Sequence, residues 1–295
     1  MPQSNGQFWI KNFPIMNRLQ KTIIALAAAG FLFTACQNED EAPISQLEDS
    51  EEVNRETDLT GTLEDIDDIV LTGFQRNGFA DRTVATVEED LCERVDITWL
   101  PNEKKMILDF GDGCTSPRGI TRKGKVIVNY TGRYWAPGSV ITTTFEDFYI
   151  NERKIEGVRI VKNEGFNQND RFFTFITRVE GGKITWPDGT TRTFESRHTK
   201  RIFLPNEDRG FIYAVNGGSE GVNRKGNSYR VEIIDPLIYA QRCINTGIKI
   251  PSKGILTLNV SERPQISVDF GEEGCDREAT ITRGDQSRTI TIPRG

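Results

Sequence analysis

Two short acidic motifs carry the residues best suited to chemistry in this chain. The motif DFGDGC contains Asp109 and Asp112, and the motif DFGEEGC contains Asp269, Glu272 and Glu273. Paired carboxylates beside a turn could bind calcium or act as an acid and a base. Asp-Gly also favours tight turns by itself, and the sequence has no DxDxDG calcium loop. The sequence therefore favours turn formation over catalysis or metal binding at these acids.

The single histidine limits nucleophilic catalysis. His198 lies in the charged run ESRHTKR and would be the sole base available to a Ser-His-Asp triad. No GxSxG nucleophile elbow accompanies it. We expect His198 to be a surface residue, and we assign no catalytic residue, metal ligand or cofactor.

Aromatic residues could form a stacking platform for a sugar or a peptide, with filling of the core as the alternative. The candidates are Tyr134, Trp135, Trp186, Phe194 and Tyr213. Trp186 lies in the turn sequence Trp-Pro-Asp-Gly, where a tryptophan is more often exposed. We therefore name Trp186, followed by Trp135, as possible ligand contacts.

A leader-like segment runs from Met16 to Cys36 and reads MNRLQKTIIALAAAGFLFTAC. Arg18 and Lys21 precede an apolar run of roughly a dozen residues, which is shorter than the ~20 residues that span a membrane. Small residues followed by Cys36 end the segment, and this ending resembles a lipobox, the bacterial signal for attaching lipid to that cysteine. The alternatives are an ordinary N-terminal anchor and a cleaved Ala-x-Ala leader.

The lipobox resemblance implies that residues 1–35 are a signal peptide, with the true start at Met16, and that Cys36 carries the lipid. Lipoproteins of this kind carry two or three acyl chains, which anchor a protein to a membrane without spanning it.

An acidic run follows the leader. Residues 37–58 contain nine carboxylates and one cation, which predicts an extended, solvated tether. The cluster Glu39-Asp40-Glu41 resembles the signal that sends Bacteroidota lipoproteins to the outer face of the outer membrane; a plain spacer is the alternative. The chain has a net charge of −6, and residues 59–295 are close to neutral, so we expect no nucleic-acid partner.

The four remaining cysteines are even in number, as expected for disulfides in an exported chain. An internal repeat relates residues 92–131 to residues 243–292 through Asp-Phe-Gly, then Gly-Cys, then Ile-Thr-Arg. Of the three possible pairings, the repeat favours Cys92–Cys114 and Cys243–Cys275. A zinc site is disfavoured because the chain has no CxxC and only one histidine.

The folded part is predicted to be mainly all-β. Leu63, Ile66, Ile69, Val70 and Phe74 recur at helical spacing, which predicts a helix over residues 62–76. From about residue 93 the apolar period is two, with turn signals every ten to fifteen residues. We predict an antiparallel meander of twelve to sixteen strands, as a curved sheet or a sandwich, in one domain over residues 59–295.

The lipobox with its acidic follower, together with the C-terminal DFG…GCD strand-turn-strand ending, resembles the Bacteroidota outer-membrane lipoproteins of unknown function. The resemblance implies a lipid-anchored envelope protein, surface-exposed or on the periplasmic face. Without catalytic motifs, we expect a binding or structural role with a glycan or protein ligand. The alternatives are a carboxylate-based glycan hydrolase and an envelope-assembly or lipid-handling protein.

Overall fold

The structure is a computed structural model that describes residues 42–80, 90–205, 210–244, 246, 248–272 and 274–293. The chain forms two units, residues 1–47 and residues 48–295. Cys36 and the acidic cluster at residues 39–41 lie outside the described residues. Of the first unit, only the start of the long helix, residues 42–47, is described.

The second unit is dominated by β-strands. A helix α1 (Ala42–Arg76) precedes the strands, and a short helix α2 (Gln241–Ile244) follows the tenth of them. The strands are β1 (Asp96–Leu100), β2 (Lys105–Asp109), β3 (Cys114–Thr115), β4 (Thr121–Tyr130), β5 (Val140–Ile150), β6 (Arg153–Asn167), β7 (Phe172–Thr185), β8 (Thr191–Phe203), β9 (Ile212–Val222), β10 (Ser228–Ala240), β11 (Lys253–Val260), β12 (Ile266–Glu272), β13 (Glu278–Arg283) and β14 (Gln286–Thr291).

The strands form one antiparallel sheet in chain order, with the short β3 pairing beside β4. Apart from β3, each strand pairs with the next strand in the chain, and most of the connections are short, so the predicted antiparallel meander is confirmed. Side chains alternate across the sheet: in β8, Arg192, Phe194 and Ser196 are buried, whereas Thr193 and Glu195 are exposed. We call the face that bears the buried residues the inner face, and the opposite face the outer face.

The C-terminal half of α1 supplies much of the apolar core. Ile66, Ile69 and Phe74 are fully buried, together with Met106 and Leu108 from β2. The helix comes so close to β2 that a Cβ atom on Gly73 would lie 2.6 Å from the sulfur of Met106. The apolar stripe predicted for residues 62–76 is therefore the surface that packs on the sheet. Asn77 and Gly78 follow the helix, and Gly78 adopts a positive φ of 69°, as is common after a helix C-terminus.

The helix begins well before residue 62, in the acidic run where the sequence predicts an extended tether. Residues 48–58 are helical because their carboxylates meet cations of the sheet. Asp49 bonds to Arg263 and Arg283, Glu56 pairs with Arg192, and Asp58 pairs with Arg153. Charge that would repel itself in an isolated segment is neutralised here by distant strands.

The same pattern continues along α1. Asp65 and Asp67 pair with arginines of β4 and β6, and Glu64 accepts a hydrogen bond from Lys200 of β8. Four inner-face cations are nine-tenths or more buried: Arg122, Arg159, Arg192 and Lys200. An acidic helix therefore lies against a sheet face that carries buried cations. Among the described residues, no helix combines the length and apolar character needed to cross a membrane.

Candidate functional site

The repeated Asp-Phe-Gly motifs share one local hydrogen bond. Asp109 Oδ1 accepts a hydrogen bond from the N–H of Gly111, and Asp269 Oδ1 accepts one from Gly271, each at 2.8 Å. The phenylalanine that follows each aspartate is buried. The turn interpretation is confirmed for Asp109, which precedes the turn at residues 111–112, whereas Asp269 lies within β12. Glu273 lies outside the described residues. In the part of the chain that the structure describes, no group of three or more His, Cys, Asp or Glu residues could hold a metal ion.

The predicted disulfide pairings are confirmed. Cys92 is bonded to Cys114 and Cys243 to Cys275, with Cα–Cα distances of 6.0 and 5.0 Å. Each bond lies within one repeat, and the two bonds lie towards opposite ends of the strand order.

The repeat has a further consequence that the sequence alone did not reveal. Arg122 and Arg283, the last residues of the two Ile-Thr-Arg motifs, both reach α1, where they pair with Asp65 and Asp49 respectively. Each repeat unit thus places one arginine on the helix.

The two tryptophans named as ligand contacts pack within the protein. Trp135 lies 5.0 Å from both Tyr134 and Phe173, measured between ring centroids. The guanidinium of Arg224 covers the ring of Trp186 at 4.3 Å and also donates a hydrogen bond to Asp188. Both tryptophans are partly buried against the core, and neither lines the groove described below. A contact between Trp186 and a ligand stays a prediction.

His198 is not the surface residue that its charged neighbours suggested. It lines an interior cavity of about 50 Å³ between α1 and the inner face, together with Glu64, Arg159 and Lys200. Burial, reinforced by the positive charges of Arg159 and Lys200, lowers the pKa of His198 to about 4. The alternation of β8 brings this residue inward, so the imidazole is neutral at physiological pH. The cavity has room for one or two waters.

The outer face carries a much larger opening, a groove of about 830 Å³ that crosses β7 to β11. Cross-strand pairing arranges the outward-facing residues of its lining into two rows, one residue from each strand. A third row, which faces inward, lies between them and consists of Gly182, Phe194, Gly221, Tyr229 and Val260. The first row consists of Gly181, Glu195, Glu220, Arg230 and Asn259. The second row consists of Lys183, Thr193, Val222, Ser228 and Ser261. Five strands at the usual spacing make the groove about 19 Å wide.

The groove is concave because of the side chains in the two rows. After Lys183, the second row has only short side chains, whereas Glu195, Glu220 and Arg230 rise beside it. The strands beneath are held close by glycines. A Cβ atom on Gly221 would lie 2.0 Å from the carbonyl oxygen of Thr193, so no larger residue fits there without moving the strands.

A register shift in β7 between Val179 and Gly182 sets the first row. The shift places Gly181, without a side chain, next to Glu195, whose Oε1 accepts a hydrogen bond from the Gly181 N–H at 2.8 Å. Bulges of this kind often re-aim side chains near functional sites.

Two carboxylates stand directly opposite each other in the groove. Glu195 of β8 pairs in register with Glu220 of β9, an arrangement that destabilises a sheet because like charges face each other. Arg230 offsets part of this repulsion by donating to Glu220 Oε2 at 2.5 Å. Both glutamates are exposed. A local arrangement that costs stability, on the rim of a groove, is typical of a functional surface.

Sequence reasoning missed this groove. Period-two alternation could have placed Thr193 and Glu195 on one face of β8, but it could not say which residues of the neighbouring strands stand beside them. That information depends on the register shift in β7. No family model, curated protein or solved structure matches this chain.

Proposed function

We propose that this chain is a lipid-anchored envelope protein that binds a ligand in the outer groove without catalysing a reaction. The groove itself carries the proposal: an opening of about 830 Å³, five strands wide, lined by charged, hydroxyl and amide side chains. Its volume lies in the range of ligand sites. On the inner face, α1 covers the sheet and the cavity beside His198 measures about 50 Å³, so lipid handling there would require α1 to leave.

The leader sequence supports the anchoring part of the proposal. The apolar run ending at Cys36 and the acids that follow it suit a lipid-anchored protein exposed on the cell surface. Labelling cells with a fatty-acid analogue should mark the wild-type protein and not a Cys36→Ala variant. A non-permeant protease added to intact cells should remove the protein while sparing a periplasmic control; protection would place it on the periplasmic face.

Photo-cross-linking in cells tests the groove. A photoreactive amino acid at Ser228 lies in the second row of the groove, and one at Ser287 of β14 provides a matched control on the same outer face. Both serines are exposed, so neither replacement disturbs the core. We expect a discrete adduct from position 228 and none from position 287. Equal labelling at both positions, or none at 228, would contradict the proposal.

A glycan hydrolase is the second candidate, because Glu195 and Glu220 oppose each other directly. Directly opposed Cβ atoms lie about 4.5–5.5 Å apart, and retaining glycosidases place two carboxyl groups about 5–5.5 Å apart. A glycosidase acid is commonly held in an apolar pocket, whereas both glutamates here are exposed. Hydrolysis of a polysaccharide that disappears in both Glu195→Gln and Glu220→Gln would establish the enzyme and refute the non-catalytic proposal.

A further inference from the structure

We infer that the groove binds an uncharged, hydroxyl-rich ligand, that is, a segment of neutral saccharide lying across β7 to β11. The inference rests on the proposed function, because it names the ligand class of the same groove. It depends on three properties of the lining: charge, hydrogen-bonding capacity and the scarcity of apolar anchors.

The charges of the lining balance. The lining contains two cations, Lys183 and Arg230, and two carboxylates, Glu195 and Glu220. Arg230 bonds directly to Glu220, and the Nζ of Lys183 lies 3.6 Å from Glu156, just outside the groove. A polyanion would meet the two carboxylates, and a polycation would meet Arg230 and Lys183. Arg230 also lies 3.5 Å from Glu232, outside the lining. The four charges of the lining itself cancel, so electrostatics within the lining does not select a charged ligand.

The lining both donates and accepts hydrogen bonds. Asn259, Ser228 and Thr193 can do both, since an amide has separate donor and acceptor groups and a hydroxyl has each in one atom. The described contacts of Glu195 and Glu220 use one oxygen of each carboxylate, so the second oxygen can accept from a ligand. Ligand hydroxyl groups complement such a lining because each can donate to a carboxylate and accept from an amide.

The groove has few features that anchor a protein partner. Protein interfaces usually centre on aromatic or large apolar side chains that enter desolvated pockets. Among the described residues of the two rows, one apolar side chain is exposed in the groove. It belongs to Val222, which is 39 % exposed. Phe194, Tyr229 and Val260 also belong to the lining, but their side chains are buried on the inner face. A peptide crossing here would find hydrogen bonds without pockets for its side chains.

The two rows also provide a direction for the ligand. The second row forms a low floor from Lys183 to Ser261, across the strands, and the first row forms a polar wall along it. An extended chain can lie along this floor for about 19 Å with hydroxyl groups facing the wall. Specificity would then come from the spacing of Glu195, Glu220 and Arg230.

A retention assay with defined polymers tests the inference. The full chain, held in lipid nanodiscs to avoid sugar-based detergents, is passed over immobilised dextran, mannan and galactan, and over neutral polysaccharide from the producing cells. Polygalacturonate and chitosan serve as the anionic and cationic probes. Ser228→Trp fills the floor of the groove without changing its charge, and Ser287→Trp is the matched control on β14.

We expect retention on at least one neutral polymer, weakened about tenfold or more by Ser228→Trp and unchanged by Ser287→Trp. Retention on the cells' own polysaccharide alone would identify an envelope glycan as the source, and retention on the other polymers an external one. Retention on the charged polymers alone, on none of the neutral polymers, or equally by both variants overturns the inference. If position 228 then gives a protein adduct in the cross-linking experiment, the groove is still a binding site, but its ligand is a protein and not a saccharide.

Discussion

Arg122 gives the sharpest test of how this fold is held together. Its side chain is fully buried, and its guanidinium grips α1 through Asp65, with Nε–Oδ2 and Nη2–Oδ1 distances of 2.9 and 2.5 Å. Nη1 also donates to the carbonyl oxygen of Asp90 at 2.9 Å, and Nη2 lies 3.3 Å from Asp90 Oδ2. One arginine therefore joins the helix, the strand β4 and the segment before β1.

The cost of removing Arg122 can be worked out from these contacts. Asp90 keeps hydrogen bonds from the hydroxyl of Ser116 and the N–H of Arg118, so it retains partners. Asp65, whose side chain is 6 % exposed, loses both of its bonds to Arg122. Leaving one partner of a buried ion pair uncompensated costs about 3–5 kcal/mol. We expect Arg122→Met to lower the free energy of unfolding by that amount.

Urea denaturation followed by circular dichroism measures this loss. With a slope of about 2–3 kcal/mol per molar urea, the midpoint should fall by about 1–2.5 M. Adding Asp65→Leu to Arg122→Met removes the uncompensated charge and should restore most of the stability, because apolar replacements of buried pairs are often neutral. The matched control is Arg283→Met in the second repeat. It should cost only about 1 kcal/mol, because Asp49 keeps Arg263 and Arg283 is partly exposed.

A loss below about 1 kcal/mol for Arg122→Met would refute the reasoning. So would a double variant that is no more stable than the single one, because the cost would then come from lost packing rather than from the stranded carboxylate.

Three further outcomes follow from the structure. Burial lowers the pKa of His198 from 6.5 to about 4, so the folded state binds fewer protons there than the unfolded state and loses stability as the pH falls from 6.5 to 4. His198→Asn should therefore gain up to about 3 kcal/mol relative to the wild type between pH 7 and pH 4 in urea titrations, and a constant difference would contradict this. Replacing Cys92 and Cys114 by serine should cost about 3 kcal/mol in the same assay, whereas a reductant-insensitive midpoint would argue against the bond. Gly124→Ala should abolish soluble expression or lower Tm steeply, because its Cβ atom would lie 1.9 Å from a carbonyl oxygen. Gly119 also has a positive φ but has open space around it, so Gly119→Ala should lower stability far less. Equal losses in the two variants would contradict the steric argument.

Much of the fold could be predicted because local signals agree with it. Period-two alternation and regular turn signals specify antiparallel hairpins, and the strand order follows from short connections. The repeat predicted both disulfides because the cysteines hold equivalent positions in its two units. The C-terminal half of α1 was predictable because Ile66, Ile69 and Phe74 form an apolar stripe at helical spacing.

The N-terminal half of α1 could not be predicted, because its stability depends on distant residues. Residues 48–58 contain acids in a polar run, a composition typical of a tether. The cations that neutralise Asp49 and Glu56 lie more than a hundred residues away, on strands β8 and β13 and on the turn between β11 and β12. Charge pairing at such separations leaves no local signal.

The groove escaped sequence reasoning for a similar reason. Glu195 and Glu220 belong to different strands, and a shift of one residue in register would send their side chains to opposite faces. The aromatic residues were easier to notice, and their role as ligand contacts stays a prediction. Trp135 packs against other rings, and Arg224 covers Trp186. The groove depends on the short side chains of its second row and on the glycines that keep the strands close.

Hydrogen–deuterium exchange provides the most direct test that the groove is the ligand-binding surface. The full chain in nanodiscs would be compared with and without a cell-envelope fraction from cells that lack this protein. We expect slower exchange in the presence of the envelope fraction in peptides that cover Thr191–Glu195 and Ser219–Arg230, with no change in β13 and β14. Protection confined to other strands, or no protection at all, would contradict the assignment of the groove.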